Sequence, residues 1–167
     1  EGIPYAEVLE KEGFKAFSVN YRVAPNCYPS PQKDLALAIK YVKANAEKWN
    51  IDPENIITIG SSAGGHLCAS HALYSSKIDE LLSEELSKDC PALAEKYSGI
   101  SSRPVKTGLT YPVINFISEM HEESAELLTG GDESLMEKLS VDLNVDETYP
   151  ETFIWNCEDD PTVPASN

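Results

Sequence analysis

Apolar residues follow two rhythms along this chain. Between residues 30 and 49, Leu35, Ala38, Ile39, Val42, Ala46 and Trp49 recur at three- and four-residue intervals, which predicts a long amphipathic helix with Ser30 as N-cap and Pro31 in its first turn. Residues 4–12 predict a shorter helix with Ala6, Val8 and Leu9 inward and Gly13 as its C-cap. Further helices are expected over 63–74, over 118–128 up to Gly130 and Gly131, and over 133–139. Short runs rich in β-branched and aromatic residues predict strands at 14–21, 56–59, 105–111 and 152–157, each bounded by Gly, Pro, Asn or Asp.

Helix and strand alternate, and the strands are nearly continuous in apolar residues. That combination predicts an α/β domain whose mostly parallel, doubly wound sheet is covered by helices on both faces. Val19, Ile57, Leu109 and Ile154 are expected on adjacent parallel strands. Residues 77–102 break the alternation: 79–86 and 92–97 read as short helices punctuated by Pro91 and Gly99, an excursion over the sheet's edge within one domain spanning 1–167. The excursion is open to two readings, a wall of a substrate pocket or a plain solvated connection.

A chain of 167 residues with 41% hydrophobic and 25% charged residues fits one globular domain. The formal net charge of −15 argues against nucleic-acid or anionic-membrane partners, since no cluster of Lys and Arg offsets it. There is no apolar run of membrane-spanning length and no charged-then-apolar leader, so a cytoplasmic protein that is neither exported nor membrane-bound is expected. Cys27, Cys68, Cys90 and Cys157 are widely spaced and lack the pairing of a zinc site, which predicts free thiols, a reducing compartment and no metal or other cofactor.

The candidate chemistry sits at residues 56–66. A branched strand runs into Gly60-Ser61-Ser62-Ala63-Gly64, spaced G-x-S-x-G, and a helical run follows at once. A serine lifted out of a sheet on so tight a turn is strained, and its neighbours two before and two after, Gly60 and Gly64, are expected to have no room for a side chain. The helix start beyond it would supply the Ala63 amide to an oxyanion. Ser62 is therefore the candidate nucleophile. The bland alternative, a glycine-rich turn with incidental serines, is disfavoured by the strand before the motif and the helix after it.

An acid at the carboxyl end of a parallel strand lies on the rim where such sheets carry their sites. Asp160 occupies that place and follows Ser62 in the order a hydrolase triad requires, although Glu158-Asp159-Asp160 also reads as a solvated acidic turn. Several stretches together resemble the α/β-hydrolase fold: Asn20-Tyr21-Arg22-Val23-Ala24-Pro25, Asp34-Leu35-Ala36 with Ala38-Ile39, Gly60 to Leu67, and Asp160-Pro161-Thr162-Val163-Pro164. Within that fold the chain is similar to small esterases of the acetyl esterase and acetylxylan esterase type, the BD-FAE-like subgroup. His121 with Ser124 and Leu127-Leu128-Thr129-Gly130 adds to the likeness.

The resemblance implies Ser62 as nucleophile, Ala63 as an oxyanion-hole donor and Asp160 as triad acid, with Asp159 in reserve. It also implies a His-Gly-Gly-Gly type loop ahead of residue 1 and a histidine after Asp160. Both are missing from the sequence, so the chain reads as the central part of a hydrolase fold incomplete at both ends. His66, one helical turn past Ser62, is expected to pack beneath the elbow rather than act as base. His71 reads as a core or surface residue and His121 as a neighbour of the pocket.

The function expected is that of a serine carboxylesterase for short acyl esters, with a small ester or an acylated plant saccharide as substrate, working by acylation of Ser62. Two alternatives stand beside it. One is a non-catalytic, hydrolase-like binding module; the other is a serine peptidase of the same fold.

Overall fold

The computed structural model describes residues 2–118 and 121–165. Among them, β1 (Ile57–Ser61), β2 (Lys106–Thr110) and β3 (Glu151–Trp155) form a parallel sheet in that order. Ser61, Thr110 and Trp155 stand in register at its carboxyl edge. Parallel neighbours need crossovers, and helices supply them: α4 (Ala63–Asp89) with α5 (Pro91–Tyr97), then α6 (Glu122–Thr129) with α7 (Glu133–Leu139). Upstream lie α1 (Gly2–Lys11), α2 (Ser30–Ala44) and the single turn α3 (Ala46–Trp49).

Side chains of a strand alternate between faces, and the two faces of this sheet differ. Thr58, Thr107 and Leu109 are buried on the face packed by α4, where Leu109 meets Cys68, Ala69 and Val141. On the opposite face Tyr5 of α1 reaches Ser61 at 3.0 Å and Thr110 at 3.3 Å, while Ile57, Ile59 and Phe153 of the same face stay exposed. Helices thus flank the parallel sheet, α4 packing on one face and α1 touching the other through Tyr5, as the alternating pattern predicts.

Residues 14–21 depart from expectation. They run extended but form no ladder with any described strand, so Val19 does not share the sheet with Ile57, Leu109 and Ile154. A run of branched residues becomes a strand only when its backbone pairs with a sheet edge, and packing can hold it elsewhere. Here Val19 and Tyr21 instead pack on Leu35, Ile39 and Leu67, beside Ile56. The loop that follows the segment is fixed by charge and backbone: Arg22 chelates Asp34 through Nε and Nη2 at 2.8 to 3.0 Å, and the Tyr28 amide donates to the Leu128 carbonyl.

The helices differ from the expected spans in ways that packing explains. Helix α2 begins at Ser30 with Pro29 in the cap position, and the helical run breaks at Asn45, whose side chain donates to the Tyr41 carbonyl. Helix α4 does not stop near Tyr74 but bends there and continues to Asp89, because Ile78 and Leu82 find Ala36 of α2 to pack against. Residues 77–102 are therefore mostly helical and lie on α2. Helix α6 starts at Glu122 rather than at Ser118; Glu119 and Met120 of the expected span lie outside the described residues.

A buried polar clamp joins these layers. Lys40 of α2 donates to the Ile100 carbonyl and pairs with Asp79 of α4 at 3.1 Å; Asp79 accepts from the Ser102 amide, and His71 donates from Nε2 to the Ser102 carbonyl. Each charge is met by a partner, as burial requires. The clamp fixes the loop that feeds β2.

Leu109 is 1% exposed at the centre of the α4 face. Leu109→Ala is expected to lower the unfolding free energy by about 2–5 kcal/mol, read from the denaturant midpoint at unchanged m-value.

Candidate active site

Strand β1 ends at Ser61 and helix α4 begins at Ala63, which leaves Ser62 alone in the turn. Its backbone sits at φ 52° and ψ −123°, a conformation that residues bearing a side chain adopt at a cost of order 1–3 kcal/mol. The surroundings enforce it. The Ser62 amide donates to the Thr110 carbonyl at 3.0 Å, and its carbonyl accepts from the His66 amide at 3.0 Å. Strand and helix each claim one end of the residue, and the side chain is lifted to the carboxyl rim. Ala63 is the first residue of α4, so its amide has no intrahelical acceptor and lies at the positive end of the helix.

The glycine requirement is only half as expected. A Cβ on Gly60 would run into the Gly64 carbonyl and come within 2.8 Å of the Gly65 amide nitrogen, so that position admits no side chain. Gly64 is different: the nearest atom to a Cβ there is the Tyr21 hydroxyl at 3.9 Å. The second tight position is Gly65, where a Cβ would stand 2.8 Å from Pro112. The expectation that Gly64 has no room is thus corrected. The elbow is closed by helix-to-strand approach at Gly60 and helix-to-loop approach at Gly65.

Asp160 lies beyond β3, whose carboxyl end is two strands from that of β1, roughly 10 Å away at the usual spacing. Its Oδ1 accepts from the amides of Thr162 at 2.8 Å and Val163 at 3.0 Å. Those two bonds, Val163 first, hold the carboxyl below its ordinary pKa and keep it ionised. Val163 is buried against Val113, Phe116, Ala125 and Leu139, which ties the acidic turn to the core. Asp159, by contrast, is exposed.

Each of the three histidines is held by partners other than Ser62. His66 is buried, stacks on Phe116 at 4.4 Å between centroids, and bonds the Leu139 carbonyl through Nε2 at 2.9 Å. Burial pushes it down to about 4, so it is neutral and structural. His71 is buried in the clamp, and burial lowers it too. His121 caps α6, its Nδ1 accepting from the Ser124 hydroxyl at 2.8 Å and from the Ser124 amide. It serves as the cap of α6. Among the described residues no group of three His, Cys, Asp or Glu is gathered to hold a metal, and no helix is long and apolar enough to cross a membrane.

Two features of the rim were not legible in the sequence. Tyr5, Ser61 and Thr110 share hydrogen bonds at 2.8 to 3.3 Å, a hydroxyl cluster assembled from three distant segments. Tyr111, the residue after β2, has φ 38°, and its amide donates to the Trp155 carbonyl at 2.7 Å. Only the Pro112 that follows hinted at an unusual backbone there.

The BD-FAE family model matches residues 3–167 of the chain. Endo-1,4-beta-xylanase B of Butyrivibrio fibrisolvens is 30% identical over 174 residues, which take in 100% of this chain and 25% of that protein. The acetylxylan esterase of Xylanibacter ruminicola is 37% identical over 67 residues, 40% of this chain and 14% of that protein. Among solved structures, the acetyl ester-xyloside bifunctional hydrolase from Caldicellulosiruptor lactoaceticus superposes with a TM-score of 0.83 at 35% identity, over 98% of this chain and 57% of that one. The chain thus spans a quarter of the first relative and a little over half of the solved one.

Gly60→Ala and Gly65→Ala should each destabilise the protein by more than 1 kcal/mol, whereas Gly64→Ala, inside a helix with open space, should be neutral or stabilising by up to about 1 kcal/mol. Thermal melts of the three variants decide it. His66, neutral when folded, takes up a proton on unfolding below its ordinary pKa of 6.5. Its contribution is therefore full above pH 6.5 and is lost as pH falls towards 4, so urea midpoints should drop across that window. His66→Gln should make the drop shallower.

Proposed function

The chain belongs to the BD-FAE family, and from that premise we propose that it carries the nucleophile and the acid of a serine carboxylesterase acting on short acyl esters, with acetylated saccharides as the substrate class. The observation that carries the reading is Ser62 at φ 52° between the end of β1 and the start of α4. Strain of that kind in a small polar residue is kept where the surrounding structure holds it for use. Names of relatives support the substrate class: one is an acetylxylan esterase, and one solved relative is an acetyl ester-xyloside hydrolase.

In this reading Ser62 Oγ attacks the ester carbonyl and the alcohol leaves, giving an acyl-enzyme that water then hydrolyses. The Ala63 amide donates to the oxyanion, helped by the positive end of α4. Asp160, ionised and held through Oδ1 by its own turn, offers Oδ2 to orient an imidazole. That imidazole, which takes the Ser62 proton and returns it to the leaving alcohol, is none of His66, His71 or His121. Asp160 has the better claim than Asp159 because Val163 anchors its turn to the core.

The test is hydrolysis of p-nitrophenyl acetate by the full-length gene product. Ser62→Ala should abolish turnover. Asp160→Asn should lower kcat on the order of 10³- to 10⁴-fold, and Asp159→Asn by less than about tenfold. Equal small losses from the two aspartates would move the acid elsewhere, and full activity of Ser62→Ala would remove the nucleophile.

A further inference from the structure

The polar clamp between α2 and α4 holds more hydrogen-bonding atoms than its own contacts use. His71, Ser75 and Ser102 are each at most 1% exposed. His71 Nε2 donates to the Ser102 carbonyl at 3.1 Å, which fixes the tautomer and makes Nδ1 an acceptor. Among the described residues Nδ1 has no hydrogen-bond partner, and neither does the hydroxyl of Ser75 or of Ser102. Buried polar groups are rarely left unpaired, and three in one clamp point to a partner that they share.

The three groups converge. His71 and Asp79 stand about 12 Å apart along the axis of α4, yet both reach Ser102. The histidine bonds its carbonyl, and Asp79 Oδ2 accepts from its amide at 3.0 Å. Ser75 lies one turn from each on the same buried side of the helix, so its hydroxyl faces Ser102 from the middle of the row. It is the shortest side chain of that row: its neighbours span the distance to the loop and it does not.

The surrounding charges decide what fits there. A cation would stand beside the Lys40 ammonium, which pairs with Asp79 at 3.1 Å and donates to the Ile100 carbonyl. An anion would face the Asp79 carboxylate and the lone pair of His71 Nδ1. An apolar group would leave all three orphans unpaired. The occupant must be small and neutral, must donate to Nδ1 and must exchange hydrogen bonds with two hydroxyls. Water has that valence, and three partners are what a buried water ordinarily takes.

We propose that the clamp binds one ordered water molecule, which donates to His71 Nδ1 and bridges the hydroxyls of Ser75 and Ser102. The water completes the link between α4 and residues 100–102 and so helps to set where β2 begins. The site lies at the amino end of β2, while Ser62 stands at the carboxyl edge of the sheet, so it is independent of the esterase reading.

Two measurements on the full-length gene product test it. A crystal structure that resolves ordered water should show a density peak within about 3.2 Å of His71 Nδ1 and of both serine hydroxyls. Magnetic relaxation dispersion of the water oxygen counts long-lived bound waters, and Ser75→Val, which puts a methyl group where the water would sit, should lower that count by one. No peak at Nδ1, or an unchanged count in a Ser75→Val variant that melts cooperatively, overturns the assignment. Should the variant not fold, the peak in the wild-type crystal decides alone.

Discussion

The backbone of Gly60 lies so close to the first turn of α4 that no Cβ fits between them, and the architecture around the site follows from that approach. With β1 ending against the helix that succeeds it, the chain has one residue in which to turn. Ser62 takes the turn with a positive φ, its amide bonded to the neighbouring strand and its carbonyl to the helix and to the Val113 amide. The same close approach brings Gly65 onto Pro112, so the exit of β2 is set by the entrance of α4. The position of Tyr111 at the rim is thus a consequence of the packing that raises Ser62.

From that point α4 acts as the spine of the molecule. Its first half covers β1 and β2 with Cys68 and Ala69, and its second half, beyond the bend at Tyr74, carries Ile78 and Leu82 to α2. The polar clamp of Lys40, His71 and Asp79 crosses the same interface and grips residues 100 to 102. Apolar packing sets how close the helices come, while the clamp, with carbonyls and an amide as its fixed partners, sets the register of the loop that enters β2. On the far side of the sheet's end, Val163 does for the acidic turn what Gly65 does for the elbow.

The motif, the strands at 56–59, 105–111 and 152–157, and the long helix after Ser30 could be read from residue types alone, because each rests on local chemistry: spacing of apolar positions, glycine where the chain turns, proline and glycine as punctuation. The order of Ser62 before Asp160 and the parallel sense of the three strands came from the same source. Residues 14–21 read as a strand and are not one among the described residues: Val19 and Tyr21 pack on α2 and α4 instead of pairing with β1, and local sequence does not say which of the two a branched run will do. The length of α4 was hidden for a related reason: its far half is stabilised by α2, more than thirty positions upstream in the chain.

What the sequence determined by itself was the elbow and its family, because a strained serine between strand and helix demands a particular set of neighbours within a few positions. Which glycines are essential was decided only by tertiary structure, through the approach of Pro112 to Gly65 and the open space at Gly64. The neutrality of His66, the hydroxyl cluster of Tyr5 with Ser61 and Thr110, and the pairing of Tyr111 with Trp155 belong to the same class. Each depends on burial or distance between segments far apart in the chain, and no local pattern of residues encodes either quantity.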